Sequence, residues 1–171
     1  MPKFNFNFVK KTQTTEGNLD VHDLVIAGWT GRDAEAVEKH ILELEKIGIS
    51  RPSSTPIFYR ASPDLLTQGE KITVIGNNTS GEVEVFIVFV EGELWLGVGS
   101  DHTDRETEAY SVAISKQACA KPISRTLWNY KDVEAHWDRL VLRSFVTIEG
   151  DRQLYQEGEL SSMIGIETLI N

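Results

Sequence analysis

The stretch from Glu82 to Val98 limits what this chain can fold into more than any other. It reads EVEVFIVFV, then Glu91-Gly92, then ELWLGV. Alternating β-branched and aromatic residues on either side of a compact turn pair specify a β-hairpin. With Glu91 and Gly92 as the two turn residues, Val90 faces Glu93 and the pairing propagates back along both strands. Asp101 then stands opposite Glu82. Side chains alternate between faces, so Glu82 and Glu84 project from one face, roughly 6 to 7 Å apart, together with Phe86 and Val88. Directly opposed residues share a face with Cβ atoms about 5 Å apart, which brings Asp101 to the two glutamates. A bulge at Gly97 or Gly99 is the one local event that turns Asp101 away. Three converging carboxylates repel one another unless a cation or protons compensate. Hard oxygen donors with few nitrogens favour Mg2+, Mn2+ or Ca2+ over Zn2+. A solvated strand end carrying no ion is the plainer reading of the same residues.

Around this hairpin the pattern predicts further elements. Phe4, Phe6 and Phe8 alternate with Asn5 and Asn7, as in a half-buried strand at a sheet edge or a dimer face. An apolar run from Val21 to Trp29 leads to Thr30 and Asp33, either of which can cap a helix. That helix runs from Ala34 to Ile47, with Ala34, Val37, Ile41, Leu44 and Ile47 on one face and Gly48 placed to end it. Residues 51–56 form a proline-bounded loop before a short strand from Ile57 to Arg60. The pattern predicts a strand over Lys71 to Ile75, a turn over Gly76 to Gly81 and a short helix over Lys131 to Trp137. Glu149-Gly150-Asp151 links a second hairpin, Leu140 to Ile148 with Arg152 to Tyr155. A weakly amphipathic helix is expected from Leu160 to Ile170.

No linker, repeat or low-complexity segment interrupts the 171 residues, so a single domain is expected. Seventeen lysines and arginines against 26 acidic residues give a formal net charge of −9, which repels phosphate backbones and anionic lipid. Nucleic acid and membrane are therefore not expected partners. One cysteine, Cys119, excludes an intramolecular disulfide; between Ala118 and Ala120 it reads as a buried, inert thiol. With neither a leader nor an apolar span, the expected compartment is the cytoplasm. Glycine-rich phosphate loop, CxxC pair and GxSxG elbow are all absent from the sequence.

The motifs together resemble the fumarylacetoacetate hydrolase superfamily. Its metal signature is a Glu-x-Glu strand, then an Asp-x-Ser/Thr-x-Arg-Asp/Glu segment, then a lysine. The corresponding residues are Glu82-Val83-Glu84, Asp101-His102-Thr103-Asp104-Arg105-Glu106 and Lys116. His40-Ile41-Leu42-Glu43 is similar to the His-x-x-Glu pair of many members. Pro56 to Arg60 stands where they carry Pro-x-x-Phe-x-Lys, and Tyr155 to Ile164 is similar to their Gln-x-Gly…Met-Ile region. The likeness spans roughly residues 25 to 171. Residues 28–33 and 99–105 look most like an uncharacterised branch, a domain of unknown function.

The resemblance implies an α+β, mostly β domain, a mixed β-roll or sandwich with a few short helices. A glycine- and threonine-rich region of relatives has no counterpart here, so the last strands are expected to be lacking. It further implies a homodimer and a hydrolase or lyase that uses Mg2+ or Mn2+ on a small 2-oxo acid or 1,3-dicarbonyl, cleaving a carbon-carbon bond through a metal-stabilised enolate. A hydratase or sugar-acid dehydratase on the same metal, and a non-catalytic family member, are the alternatives. By this likeness Glu82, Glu84 and Asp101 hold the metal. His40 acts as base toward water with Glu43 orienting it, an i, i+3 pair on one helical face. Lys116 stabilises an oxyanion or holds a substrate carboxylate. Arg60, where many members have lysine, and Arg105 contact substrate, Arg105 alternatively steadying Asp101.

Overall fold

The computed structural model describes residues 1–46, 48 and 50–170. In chain order its elements are strands β1 (Lys3–Lys10), β2 (Gln13–Asp20) and β3 (Leu24–Gly28), helix α1 (Ala34–Lys46) and strand β4 (Ile57–Ala61). The short strands β5 (Leu66–Thr67) and β6 (Thr79–Ser80) precede the long hairpin β7 (Val83–Val90) and β8 (Glu93–Ser100). Strand β9 (Thr103–Asp104) leads into the helices α2 (Arg105–Tyr110) and α3 (Val112–Ala118), then strands β10 (Lys121–Pro122) and β11 (Thr126–Asn129). Helix α4 (Tyr130–Val133), a 3-10 turn over Glu134–Arg139, the hairpin β12 (Val141–Ile148) and β13 (Asp151–Glu159), and helix α5 (Ile166–Ile170) complete it. The class is α+β and mostly β, with several sheets, few short helices and no closed barrel among the described residues. None of these helices is long and apolar enough to cross a membrane.

Glu91 and Gly92 have φ of 51° and 81°, the two positive values that a tight two-residue hairpin turn requires. Glu149 and Gly150 repeat the device at 51° and 92°. The register of β7 on β8 is unbroken from Val83↔Ser100 to Val90↔Glu93, so no bulge forms. Gly97 lies directly across from Phe86, and a Cβ there would penetrate the Phe86 ring. The ring occupies the space that a side chain on β8 would fill.

The main sheet has the order β2-β1-β11-β8-β7. One face carries Phe4, Phe6, Trp95 and Leu127, flanked by Phe8, Phe86 and Val88; the other carries Leu96 against Trp137, Leu160 and Ile166. Both faces are buried because Trp95 lies among the β1 aromatics, against which Val21, Leu66 and Ile123 pack, while its successor Leu96 is covered by the last third of the chain. Burial of a large apolar side chain stabilises by roughly 1.5–3 kcal/mol, so the two clusters hold the sheet from both sides.

Several expectations are corrected. Strand β1 is not at an edge; it lies inside the sheet, antiparallel to β2 and parallel to β11. Strand β2 escaped prediction because QTTEGNLD offers almost no apolar alternation, its outer side facing solvent. Residues 71–75 alternate between exposed and half-buried but have no neighbour to complete a ladder, so they form no strand. The expected turn over residues 76–81 contains β6, paired with β9. The predicted helix from Leu160 is instead a 3-10 turn over Leu160–Ser162 followed by α5. Backbone bonding interrupts it: Ile164 N–H donates to Thr30 O at 2.8 Å, and Arg32 N–H donates to Ser162 O at 2.8 Å. The helix expected over Lys131 to Trp137 breaks into α4 and the 3-10 turn, the latter itself kinked at His136 with φ −131°. Asp33, not Thr30, caps α1, its Oδ1 accepting from the N–H groups of Glu35 and Ala36. The expected last residue of that helix, Ile47, lies outside the described residues.

The Phe86–Gly97 contact sets a test. Gly97→Ala should destabilise the protein by about 1–3 kcal/mol through overpacking, and combining it with Phe86→Leu should recover part of the loss. Urea unfolding of the two variants measures both values.

Candidate metal centre

Glu82 precedes β7, Glu84 lies within it, and Asp101 follows β8 on the adjoining strand. Asp101 N–H donates to Glu82 O at 3.0 Å, extending the hairpin pairing by one step. Glu84 faces Gly99, against which Pro122 O, Phe86 and Ile123 pack so closely that a Cβ would meet them at 3.1–3.4 Å. One carboxylate oxygen from each of Glu82, Glu84 and Asp101 lies within 4.8 Å of the other two. Asp101 is buried and the two glutamates are half-buried. This acidic triad can hold a metal ion.

Basic residues surround it. Lys116, buried in α3, pairs through Nζ with Asp101 Oδ2 and stands 3.7 Å from Glu82 Oε2. Lys121, buried on β10, places Nζ 3.0 Å from Asp101 Oδ1 and donates to the carbonyl of His102. The Lys121 contact with Oδ1 is an ion pair without hydrogen-bond alignment, and Oδ1 accepts no hydrogen bond. Arg105 pairs with Glu82, donates to Glu108 at 2.7 Å and to Ser80 Oγ at 2.7 Å. Burial alone would lower the Lys116 pKa, but the carboxylates of Asp101, Glu82 and Glu84 together outweigh it and raise it.

Glu84 differs from its neighbours. Among the described residues it has neither a hydrogen-bond nor an ion-pair partner. Burial first, and the adjacent Asp101 charge second, push its carboxyl up to about 8. A half-buried carboxylate without a partner, beside an Asp101 oxygen that accepts no hydrogen bond, is a donor set that a hard divalent cation would complete. The residues therefore fit such an ion.

A cleft of about 820 Å³ opens onto the site, lined by Glu82, Glu84, Arg105, Glu108 and Lys116, with His40, Trp29 and Tyr59 on the facing wall. His40 is on this wall; its Nδ1 is 3.8 Å from Glu43 Oε2, and Glu43 itself does not line the cleft. Trp29 sits at φ 60°, a strained conformation for a bulky residue, with its ring centroid 5.6 Å from that of His40. Arg60 is turned away: its side chain is 83% exposed, pairs with Asp23 and lies outside the cleft. Alternation along β4 explains this, since Tyr59, one residue earlier, is the side chain that faces inward. His102 also turns aside, its Nε2 3.0 Å from Thr79 Oγ1. Cys119 is buried, and burial pushes its thiol pKa up.

Lys121 and the helices carrying Arg105 and Lys116 escaped prediction as structural features. Asp104 and Ser111 mark the helix starts, Asp104 Oδ1 accepting from Thr107 N–H at 2.8 Å and Ser111 Oγ from Ile114 N–H at 3.4 Å. Both are readable capping signals that short helices make easy to overlook. Nothing local marks Lys121, because its partner Asp101 arrives by tertiary folding.

A family model described as "Protein of unknown function (DUF2848)" matches residues 27–171, and the chain belongs to that family. No curated protein matches it. The solved structure of Cg1458 is similar in fold, with a TM-score of 0.59 at 16% identity, covering 84% of this chain and 55% of that one. The chain thus spans little more than half the length of that structure.

The raised Glu84 carboxyl has a pH consequence for the metal-free protein. Its proton is held more tightly folded than unfolded, so its contribution to stability is full below about 4.5 and is lost as pH rises through about 8. Glu84→Gln should therefore melt higher than the parent at pH 8, with the gap closing near pH 4, as thermal denaturation in chelator would record. Lys121→Met should cost on the order of 3 kcal/mol, because it strips a buried partner from Asp101; chemical denaturation tests this.

Proposed function

We propose that this chain is a divalent-metal-dependent hydrolase or lyase acting on a small 2-oxo acid or 1,3-dicarbonyl, and that its family is a branch of the fumarylacetoacetate hydrolase superfamily. The observation that carries this reading is the convergence of Glu82, Glu84 and Asp101 on one point, with both glutamates lining a cleft. The order of Glu-x-Glu, Asp-x-Thr-x-Arg and lysine along the sequence adds support.

Glu82, Glu84 and Asp101 would hold Mg2+ or Mn2+, with Ca2+ also suited to oxygen donors. The bound ion supplies Lewis acidity for the enolate that forms when a carbon-carbon bond at C3 breaks. The chain's own groups supply the rest. Lys116 and Arg105 border the cleft as permanent cations and orient the substrate's carboxylate. His40 faces the same space; with Nδ1 toward Glu43, its Nε2 is left to take a proton from water. Tyr59, rather than Arg60, is the β4 residue placed to meet substrate. Cytoplasmic location and a homodimer complete the proposal.

The test is calorimetric titration of Mg2+ and Mn2+, with and without oxalate as an enolate mimic, into the parent protein and Glu82→Gln. Binding is expected to tighten with oxalate in the parent and to fall at least tenfold in the variant. A folded protein that takes up neither ion refutes the metal-dependent reading and leaves a non-catalytic role.

A further inference from the structure

A second cavity, of about 710 Å³, borders the triad at Glu84 and Asp101 and is lined mainly by apolar groups, among them Ile26, Phe58, Leu66, Phe86, Val88 and Ile123. It follows β7 over its length, since every residue from Glu84 to Glu91 contributes to its lining. At about 3.3 Å per residue this is a groove roughly 20 Å long. Ser100, Asp101, Lys121 and the half-buried Thr30 stand with Glu84 in its lining, while Asp20, His22, Asp23 and Glu91 are exposed.

Glu84, Ala27 and Thr30 line both this groove and the polar cleft. The two spaces therefore meet at the carboxylate that has no partner. A ligand whose oxygens engage the metal site has two directions in which to extend: one polar, past Lys116 and Arg105, and one apolar, along β7. Ligand pockets of this size bind by apolar contact along most of the wall and fix orientation with a few polar groups. The groove has that distribution, with Lys121 buried near the triad.

On the reading of the metal site given above, we infer that the substrate carries an extended apolar substituent, alkyl or aryl, lying along β7 while its oxo-acid head rests at Glu82, Glu84 and Asp101. The substrate class is a long-chain or aryl-substituted 2-oxo acid or 1,3-dicarbonyl rather than a short one. Phe58 is the side chain best placed to sense the tail. It pairs in register with Ala27, at the junction of the two cavities, and is 51% exposed, so its ring can be removed at little risk to the fold.

The experiment measures the affinity of pyruvate, 2-oxobutyrate, 2-oxopentanoate, 2-oxohexanoate and 2-oxooctanoate for the Mg2+-loaded protein, alongside oxalate. Affinity should rise about threefold to fourfold for each methylene buried, making 2-oxooctanoate at least a hundredfold tighter than pyruvate. Phe58→Ser and Phe58→Asp should each cut the octanoate-to-pyruvate ratio at least fivefold. The ratio is the readout, so a change in head-group binding cancels. Oxalate binding with no dependence on chain length overturns the tail inference and leaves the metal site standing. Loss of oxalate binding in the parent overturns the metal reading and this one with it. A flat series in which Phe58→Asp turns a dimer into a monomer, seen by sedimentation velocity, assigns the groove to a second copy of the chain and likewise overturns the inference.

Discussion

Positive φ at both Glu91 and Gly92 folds β7 back on β8 with no residue to spare, and the rest of the molecule inherits that alignment. A shift of one residue would flip every side chain of one strand to the opposite face. Trp95 would leave the aromatic cluster of β1, and Leu96 would leave the cluster built by Trp137 and Leu160. The same shift would pull Asp101 away from Glu82. The carboxylate triad is thus a by-product of register, and register is defended by apolar packing on both faces of the sheet. Gly97 contributes by admitting the Phe86 ring, Gly99 by admitting the Pro122 carbonyl and the Ile123 side chain.

The site shows how a protein can gather acidic groups without unfolding itself. Asp101 is flanked by two buried ammonium groups, and Glu82 by Lys116 and a guanidinium. Each anion that the hairpin drives inward meets a cation delivered by a separate element: Lys116 from α3, Lys121 from β10, Arg105 from α2. A buried charge pair of this kind adds little net stability, but removal of one member is costly. Glu84 is the exception to the balance, and the exception faces both cavities.

The hairpin register, the face shared by Glu82, Glu84 and Asp101, and the helix carrying His40 were all readable from spacing, because period and turn chemistry are local properties. What was not readable depended on partners. Residues 71–75 have the alternation of a strand and none of its hydrogen bonds, while β2 has the bonds and no alternation. Lys121 sits in a sequence with no motif and becomes notable only when Asp101 reaches it. Arg60 was assigned by its place in a family pattern, yet strand alternation sends it to solvent and turns Tyr59 inward. Local signals thus located the three carboxylates, and tertiary pairing decided which side chains surround them.

The wall of the cleft is held from behind. Thr30 and Arg32 bond through their backbones to Ile164 and Ser162, and the Arg32 side chain reaches Met163 O and Asp138. Met163 is synthesised 131 residues after the Arg32 it secures, and Asp138 106 residues after it. The amino-terminal strand β1 likewise waits for β11 before it has both neighbours. Such long-range closures slow folding relative to local ones. On the ribosome, then, a nascent chain has the three carboxylates well before it has a cavity to put them in, and the acidic cluster matures behind an unfinished wall until residues 162–164 arrive.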